Sequence, residues 1–530
     1  MPHLRFRRET DDRKETYFAE MSSRRASNTR KLGKISCLSS YDNLFWKINK
    51  YEKLPHHLKS CLDYIFITRP CQKPVLVQVL MAQGLIPDRP GEIIEDVAEN
   101  FVEELIALGM LVENRYCGSL EVAKCYNNSC SVDVDEQKFM SKAENLDVHA
   151  IVSFDERNHR SIDFKNLRIC SLFLIAAYDW DPHRGLSRDF MQDICKLQFL
   201  VVLDIFGVIE SIPDEVGNLV NLEYLGLAVC INMDNLPRSL GNLQKLQTLH
   251  LTYYESLREL PVELLKLRQL RHLLLVRCGN DSEVRVPKGI GMLANLQTCE
   301  GVYAGDGMAK ELGTLTQLRR FGATRVSEGH ASELAAAIMN MENLHSLSLE
   351  AEDAWINGEY RGVLPQLENF SPPHLVQELT LCGALIEIPN WIAPMQKLTR
   401  LSLTRSNLSQ DEASLLQYLP KLKHLDLWKA YDAKIIGKEF CEVGSFPKLE
   451  TLRFSSEHLV EWDEIVNGAF PSLRYLEFYN CENMRFITED LRNLSRLQEL
   501  NFLAVHEDLA RQLRGKEKYK IKQIPKVMFL

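Results

Sequence analysis

The sequence has little that would direct the chain into or across a membrane. Its first residues, MPHLRFRRETDDRKETYF, contain no apolar segment of a secretory signal peptide. No window approaches about 18 uninterrupted apolar residues, the length of a membrane-spanning helix. We therefore expect a cytoplasmic protein, with the nucleus as a second compartment, in which the 14 cysteines stay reduced.

The short motifs of common enzymes and metal sites are also missing. We find no nucleophile elbow, no HExxH, no kinase loop and no glycine-rich dinucleotide turn. A cluster of three cysteines has no CxxC-type zinc spacing, and the pair His56–His57 has no further ligands nearby in sequence. The cysteines of this cluster are Cys117, Cys125 and Cys130. We predict that the chain is not an enzyme and holds no metal.

Composition and charge do not point to a nucleic-acid partner. Hydrophobic residues make up 45% and charged residues 25% of the chain, with a net charge of −9, as in an ordinary soluble protein. Basic residues gather at both ends, which predicts a disordered segment over 1–40 and a basic tail over 511–530. The basic N-terminal segment lacks the interleaved aromatic residues of a nucleic-acid platform.

One pattern is abundant, an apolar repeat of the form LxxLxxLxL. Leu222, Leu246 and Leu270 hold the same place in successive copies, 24 residues apart. Thirteen copies can be counted, or fourteen with Ile169–Leu172–Leu174. The LxL part predicts a short strand whose two leucines face the core, because alternate side chains of a strand point the same way. Stacked copies bury one continuous core, so we predict an α/β leucine-rich-repeat solenoid with a parallel concave sheet over 166–510.

The repeats are uneven. The interval from Leu344 to Val376 is 32 residues and includes the acidic run Glu350–Asp353. Extra length in a solenoid becomes a loop on one face, so this interval marks either a contact or a break between two blocks of repeats.

Residues between the core leucines face away from the core, and these are the candidate binding residues. Aromatic and arginine side chains on a concave surface suit protein recognition, since they combine area with directed hydrogen bonds. The candidate protein-binding residues are Tyr224, His250, Arg271, His272, Arg400, His424, Trp428, Arg453, Tyr475 and Tyr479.

Residues 41–115 have a different pattern, which predicts a small helical domain. Apolar residues from Ile48 to Cys61 have helical spacing, and a second helix opens at Pro74 and closes at Gly84. A third, amphipathic stripe runs from Ile94 to Leu108 and leads into a short strand at Met110–Val112. Residues 116–165 are then predicted as a linker to the repeats.

Three phrases of this helical domain resemble a known family. YEKLPHHLKSC (51–61), AQGLI (82–86) and EDVAENFVEELIALGML (95–111) are similar to the winged-helix segment of plant nucleotide-binding leucine-rich-repeat (NB-ARC-LRR, coiled-coil type) disease resistance proteins. The repeats, with phrases such as Ile212–Gly217, resemble the same family, and the likeness covers about residues 42–510. It implies an intracellular plant immune receptor that recognises a pathogen effector, or a guarded host protein, on the concave surface.

The chain departs from that family where nucleotide binding is concerned. The family holds ADP or ATP with a P-loop, GxxxxGK followed by Ser or Thr, and no such string is present. The family's Met-His-Asp triplet should fall near 119–126, where this chain has Ser119–Lys124 without histidine, and the N-terminal coiled coil is missing. We expect a truncated member that neither binds nor hydrolyses a nucleotide by itself.

Such a member has protein partners only. It would bind an effector, a guarded host protein or a full-length immune receptor, acting as a decoy or as a regulator in trans. Two alternatives remain open from the residues alone. One is a leucine-rich-repeat substrate adaptor of a ubiquitin ligase, and the other is a non-functional remnant of a resistance gene.

Overall fold

The computed structural model describes most of the chain beyond residue 52. The described ranges are 53–66, 71–114, 119–122, 148–154, 168–176, 186–209, 211–228, 233–254, 256–277, 284–352, 355–356, 359–360, 362–367 and 369–529. Segment 1–40 and the three clustered cysteines lie outside these residues. The chain divides into two compact units, 1–257 with 261–282 and 258–260 with 283–530, which are taken in turn.

The first unit begins with a small helical domain, here the described residues of 53–122. Its helices are α1 (His56–Phe66), α2 (Lys73–Ala82) and α3 (Ile94–Ala107). They lie beside an antiparallel sheet of order β1-β3-β2, with β1 (Cys71–Gln72), β2 (Leu111–Asn114) and β3 (Ser119–Val122). Pro74 lies in the first turn of α2, where its missing N–H costs no hydrogen bond, and Gly84 follows the helix with φ of 64°.

Six parallel strands of the first unit carry the repeats, in the order of the chain. They are β4 (Val148–Phe154), β5 (Ile169–Ala176), β6 (Val202–Phe206), β7 (Tyr224–Ala228), β8 (Thr248–Tyr254) and β9 (His272–Arg277). Helix α4 (Arg188–Ile194) starts at Ser187, whose hydroxyl accepts from the Phe190 N–H at 3.3 Å. Short 3₁₀ helices at Asp214–Asn218, Arg238–Asn242 and Val262–Lys266 each follow a proline.

The predicted linker 116–165 is wrong in part, because two of its segments are strands. Ser119–Val122 pairs antiparallel with Leu111–Asn114 and so belongs to the helical domain. Val148–Phe154 pairs parallel with β5 and is the first strand of the repeat sheet. The sequence VHAIVSF has alternating apolar residues but lacks the leucines by which the repeat was recognised.

Ten strands of the second unit form a parallel sheet, with two small sheets beside it. The ten are β10 (Thr298–Tyr303), β11 (Arg320–Val326), β12 (Ser346–Ala351), β15 (Glu378–Cys382), β16 (Arg400–Thr404), β17 (His424–Trp428), β19 (Thr451–Ser455), β21 (Tyr475–Tyr479), β23 (Glu499–Leu503) and β24 (Lys526–Phe529). A hairpin of β13 (Trp355–Ile356) and β14 (Glu359–Tyr360) fills the 32-residue interval. The third sheet joins β18 (Ile435–Ile436), β20 (Glu461–Trp462) and β22 (Phe486–Ile487).

Short helices of the second unit lie between successive strands of this sheet in the chain. The α-helices are α5 (Met308–Leu312), α6 (Ala331–Met339), α7 (Gln410–Ser414) and α8 (Glu507–Arg514). The 3₁₀ helices are Ile290–Met292, Leu415–Tyr418, Lys438–Phe440, Glu489–Asn493 and Lys518–Lys520. Helix α7 has a reciprocal cap, in which Ser409 and Glu412 each accept from the other's backbone N–H.

The basic tail predicted at 511–530 is also wrong, because this segment continues the repeats. β24 pairs parallel with β23, with Leu500 opposite Val527, and the Phe529 ring stacks on Phe502 at 5.2 Å. Its apolar residues do follow the LxxLxxLxL spacing, as Ile521, Ile524, Val527 and Phe529. The pattern is hard to recognise in the sequence because isoleucine, valine and phenylalanine replace leucine and many lysines lie between them.

The leucines of the repeats form the core, as predicted. Leu225, Leu249, Leu401 and Leu425 are fully buried. Toward the C-terminus phenylalanine replaces the second leucine of LxL, and one stack runs through four strands. Phe454, Phe478, Phe502 and Phe529 are stacked at centroid distances of 5.9, 5.6 and 5.2 Å. Each such pair adds about 0.5–1.5 kcal/mol to what burial alone contributes.

The side of each sheet opposite this core is the predicted concave surface and is here called the strand face. Three positions of each strand point to it: before, between and after the two core residues of LxL. In β17 these are His424, Asp426 and Trp428. Since the strands are parallel and in register, equivalent positions line up across them as a first, second and third row.

Candidate binding surface on the strand face

The strand face of the first unit is covered by the helical domain. The buried residues of α1, α2 and α3 form one hydrophobic cluster with Phe173, Val202 and Tyr224, which point outward from β5, β6 and β7. The Tyr64 hydroxyl of α1 lies 2.9 Å from the Ser171 hydroxyl in a buried hydrogen bond. The contact joins segments that are distant in sequence, since Tyr64 and Ser171 are 107 residues apart.

An ion pair closes the edge of this contact. Arg271 donates from Nε and Nη2 to the two oxygens of Glu95 in α3, at 2.7 and 2.8 Å, and His272 Nε2 lies 3.5 Å from Glu95. The Glu95 side chain is only 7% exposed. Burial would raise the pKa of Glu95, but hydrogen bonds and charges from His272 and Arg271 outweigh it and lower that pKa to about 2. The Glu95 carboxylate is therefore charged. Arg271 and His272 of the repeats hold it in place.

Three candidate residues of the first unit are therefore not available to a partner in this structure. Tyr224 is 0%, His250 8% and His272 3% exposed, and Tyr224 and His250 are 3.3 Å apart, oxygen to ring nitrogen. Arg271, with its side chain 26% exposed, binds Glu95 instead. The prediction that these residues face an open concave surface is wrong, because the chain's own helices occupy it.

Gly226 shows how closely this covered face is packed. A Cβ added at Gly226, between the core leucines of β7, would lie 2.9 Å from the Tyr224 ring and even closer to the Asp204 carboxylate. Only glycine leaves room for the two side chains to meet over the strand. Substitution there would move Tyr224 or Asp204, both of which are buried.

In the second unit the first and second rows carry a ladder of paired charges. Arg320 donates to Glu300 and Glu378, both at 3.0 Å. The next ladder runs through Arg400, Asp426, Arg453 and Glu477, with N–O distances of 3.8, 3.2 and 3.8 Å. Burial would lower the pKa of Arg453, but the charges of Asp426 and Glu477 raise it above its ordinary range. The signs alternate from strand to strand, so this surface largely neutralises itself.

Tyr475 belongs to this ladder rather than to an open surface. It is 3% exposed, and its hydroxyl donates to Glu477 and accepts from Asn501 Nδ2 at 2.9 Å. The Arg453 guanidinium lies 5.4 Å from the centroid of its ring. The prediction of Tyr475 as a partner contact is therefore wrong for this structure, since neighbouring side chains enclose it.

His424 lies in the first row between strands that carry arginine. Burial, together with the charges of Arg400, Arg453 and Lys423, lowers the pKa of His424 to about 4. The imidazole is therefore neutral near pH 7. It adds a hydrogen-bonding group, but no charge, to the half-exposed surface.

Trp428 and Tyr479 form a stacked pair in the third row. Their ring centroids are 4.8 Å apart at 26°, and they reach each other across β19 because Ser455 lies between them. Trp428 is 39% exposed, while Ser455 beneath the pair is 2% exposed. Lys429 and Asn480, with φ of 49° and 53°, turn the chain away directly after each ring. The pair thus stands at the edge of the strand face, with Trp428 accessible.

The histidine, cysteine and acidic side chains that the structure describes do not gather into a metal site. Within the described residues, no group of three or more His, Cys, Asp or Glu side chains is placed to hold a metal ion. His56 and His57 begin α1, and His57 lies against the Phe101 ring at 4.6 Å, so it serves the helical domain's packing. That the chain is not an enzyme and binds no nucleotide stays a prediction.

The fold, the repeat core and the partly open strand face define the chain as a leucine-rich repeat protein. The family described as a leucine-rich repeat region matches residues 185–523, and the chain belongs to it. The match stops short of β4 and β5 and of the helical domain.

Among curated proteins the chain is similar to plant disease resistance proteins. Disease resistance protein RPM1 of Arabidopsis thaliana is 28% identical over 246 residues, 46% of this chain and 25% of RPM1. Disease resistance protein RPP8 of the same plant is 24% identical over 517 residues, 91% of this chain and 54% of RPP8. Some curated relatives match this chain along most of its own sequence. The chain spans about half the length of these relatives.

The chain was also compared with solved structures. An LRR protein of Leptospira interrogans is 20% identical, covers 74% of this chain and 97% of its own, and gives a TM-score of 0.43. A TDR receptor is 18% identical, covers 73% of this chain and 67% of its own, and gives a TM-score of 0.35.

The helices are short throughout the described ranges. The longest, α3, has 14 residues, and no helix there has the length and apolar composition to cross a membrane.

Proposed function

We propose that this chain recognises a protein partner in plant defence, in the cytoplasm or nucleus. The partner is a pathogen effector, a guarded host protein that an effector modifies, or a full-length immune receptor. It binds on the strand face of the second unit, from β15 to β21. The similarity to disease resistance proteins supports the role, and the accessible side chains of this face support the place.

A single observation carries the location. The strand face of the first unit is filled by the helical domain, whereas Arg400, Trp428 and Arg453 of the second unit remain 39%, 39% and 30% exposed. Exposed tryptophan and arginine side chains on a rigid sheet are the residue types that dominate protein interfaces. Within the described residues of the second unit, a partner can contact these side chains without any rearrangement of the sheet.

The proposal includes no nucleotide hydrolysis by this chain. Neither the P-loop string nor the Met-His-Asp triplet occurs in its sequence, and β3 occupies Ser119–Val122 where the triplet was expected. The proposed activity is therefore binding, with any signal passed on by the partner.

The test uses the full chain against a cloned panel of secreted pathogen effectors and of the plant proteins that they modify. Each pair is measured by co-precipitation of purified proteins, with wild type and with Trp428→Ala combined with Arg400→Ala. Tyr418→Ala is the matched control, because Tyr418 is a 64% exposed aromatic on a 3₁₀ helix away from the strand face.

We expect at least one panel protein to bind wild type and Tyr418→Ala equally and to be lost with the double variant. A panel in which every bound protein tolerates the double variant would reject the strand face as the binding surface. The thermal unfolding of each variant is measured alongside, so that a misfolded variant is not counted as a loss of binding.

A further inference from the structure

The third row of the second unit carries no charged residue over six consecutive strands of the sheet. From β15 to β23 its members are Cys382, Thr404, Trp428, Ser455, Tyr479 and Leu503. Cys382, Thr404 and Tyr479 are half-buried and Trp428 is exposed, so a partner can reach four of the six. This row is a continuous uncharged strip along the edge of a surface that is otherwise rich in charge.

The charged rows beside the strip are already paired within the chain. Asp426 lies between Arg400 and Arg453, and Arg453 also faces Glu477 and lies over Tyr475. A partner carboxylate or ammonium placed there would compete with an existing pair and would lose its own hydration for little gain. The charged rows therefore help to position a partner and to exclude partners with the wrong charges, and they contribute less to the affinity.

The strip has the dimensions of a short extended peptide. Four steps between neighbouring strands separate Cys382 of β15 from Tyr479 of β21. At about 4.8 Å for each step this is roughly 19 Å, and an extended chain covers that length in about six residues. The aromatic pair occupies the third and fifth of the six positions of the strip, and the rings of Trp428 and Tyr479 stack on each other.

Resting on the proposed function, we propose that the occupant of this strip is an uncharged extended segment of the partner protein, about six residues long. It runs across the strands and places an aliphatic or aromatic side chain against Trp428. Binding then comes from burial of apolar area on the ring pair, and it is insensitive to salt. An acidic partner segment on the arginines is the opposing possibility.

The experiment selects from a phage-displayed library of random hexapeptides on the immobilised full chain. Enriched hexapeptides are synthesised, and their dissociation constants are measured by fluorescence anisotropy at 0.1 M and 1 M NaCl. The proteins compared are wild type, Trp428→Ala, Arg400→Ala and the control Tyr418→Ala. Arg400 is chosen because its side chain is 39% exposed and its ion pair with Asp426 is long, at 3.8 Å, so its removal disturbs the sheet least.

We expect enriched peptides without Asp, Glu, Lys or Arg and with a large apolar residue. Trp428→Ala should weaken them at least tenfold, whereas Arg400→Ala, Tyr418→Ala and 1 M NaCl should change the affinity less than threefold. An acidic consensus that weakens tenfold with Arg400→Ala or in 1 M NaCl would overturn the inference. So would the absence of any peptide that distinguishes wild type from Trp428→Ala.

The same variants separate this inference from the proposed function. If a panel protein is lost with Arg400→Ala and in 1 M NaCl but tolerates Trp428→Ala, recognition on the strand face holds and the uncharged occupant is wrong. If every bound panel protein tolerates both substitutions, both proposals fail together.

Discussion

The repeat strands of the two units have different surroundings. In the first unit, Phe173, Val202 and Tyr224 on the strand face pack against the helical domain. Tyr224, His250 and His272 are almost completely buried. In the second unit the equivalent positions carry paired charges and one stacked aromatic pair. The comparison shows that the same backbone and leucine spacing can serve an internal contact in one place and an open surface in another.

The ion pairs of the two units also differ in how far they are buried. Glu95 and Arg271 pair across an internal contact where little water remains, so each depends on the other. Arg400 and Asp426 pair at 3.8 Å on a half-exposed surface, where water can replace either partner. Substitutions in these two ion pairs should therefore have unequal effects on stability.

The largest effect is expected at the covered face. Arg271→Ala leaves the buried Glu95 carboxylate without its two-pronged partner and should lower the free energy of unfolding by about 3–5 kcal/mol. Arg400→Ala in the open face should cost less than about 1 kcal/mol. Equilibrium urea unfolding of the full chain measures both, with hydrogen exchange to localise the loss to α3 and β9.

A double variant sharpens this result. Glu95→Met with Arg271→Met replaces the pair by apolar side chains and should recover most of the stability that Arg271→Ala loses. Equal losses for Arg271→Ala and Arg400→Ala would mean that the helical domain does not exclude water from Glu95.

Binding is expected to show the next largest contrast. Trp428→Ala should cost about 2 kcal/mol of partner affinity, roughly thirtyfold, because a central tryptophan loses its buried area. His250 is only 8% exposed and lies beside the buried Tyr224, so His250→Gln should leave the affinity unchanged. Titration of a captured panel protein measures both, and a loss with His250→Gln equal to that with Trp428→Ala would contradict the covered state of the first face.

Two buried serines, Ser171 and Ser455, allow a matched comparison in which the expected change in stability is moderate. Ser171→Ala removes the buried hydrogen bond with Tyr64 and should cost about 1–2 kcal/mol. Ser455 lies under the Trp428–Tyr479 pair, and its hydroxyl has no hydrogen-bond partner among the described residues. Ser455→Ala should change stability by less than about 0.5 kcal/mol or raise it, since no bond is lost. Thermal unfolding distinguishes the two outcomes, and a larger cost at Ser455 would reverse the interpretation.

A pH dependence in the open face is expected to be smaller than the loss of stability at Ser171. Folding lowers the pKa of His424 from 6.5 to about 4, so the unfolded chain binds this proton more readily between those pH values. The stabilising contribution is complete above pH 6.5 and is lost as the pH falls toward 4. The full change in pKa would give about 1.8 kcal/mol between pH 7 and pH 5. Solvent around this half-buried ring reduces that value, so His424→Gln should remove about 1 kcal/mol of the difference in stability. An unchanged difference would place the imidazole in contact with water.

Much of the repeat fold could be predicted because its signal is local. Leucines at LxL spacing must share one side of a strand, and Leu225 and Leu425 occupy the core as expected. β24 carried the same spacing with Ile521 and Phe529, so a pattern written for any large apolar residue would have found it. β4 has no leucine, and its spacing alone does not distinguish a repeat strand from another strand.

The site could be predicted only in part, because access depends on contacts between distant segments. Glu95 and Arg271 are 176 residues apart, and no local pattern connects them. The sequence predicts Trp428 as one of the aromatic and arginine residues beside the core leucines, and its place is also where the chain leaves the sheet. Its stacking on Tyr479 depends on the small Ser455 between them, a three-strand relation that becomes visible only once the repeats are aligned in register.

The phenylalanine stack has a consequence for how such a chain can change over generations. Phe454, Phe478, Phe502 and Phe529 hold neighbouring repeats at a fixed offset, so each repeat adds one residue to every row. Duplication of one 24-residue unit would lengthen the uncharged strip by about 4.8 Å while the older contacts stay where they are. Gene rearrangement can thus enlarge the footprint stepwise, and single replacements after LxL can retune it without disturbing the interior.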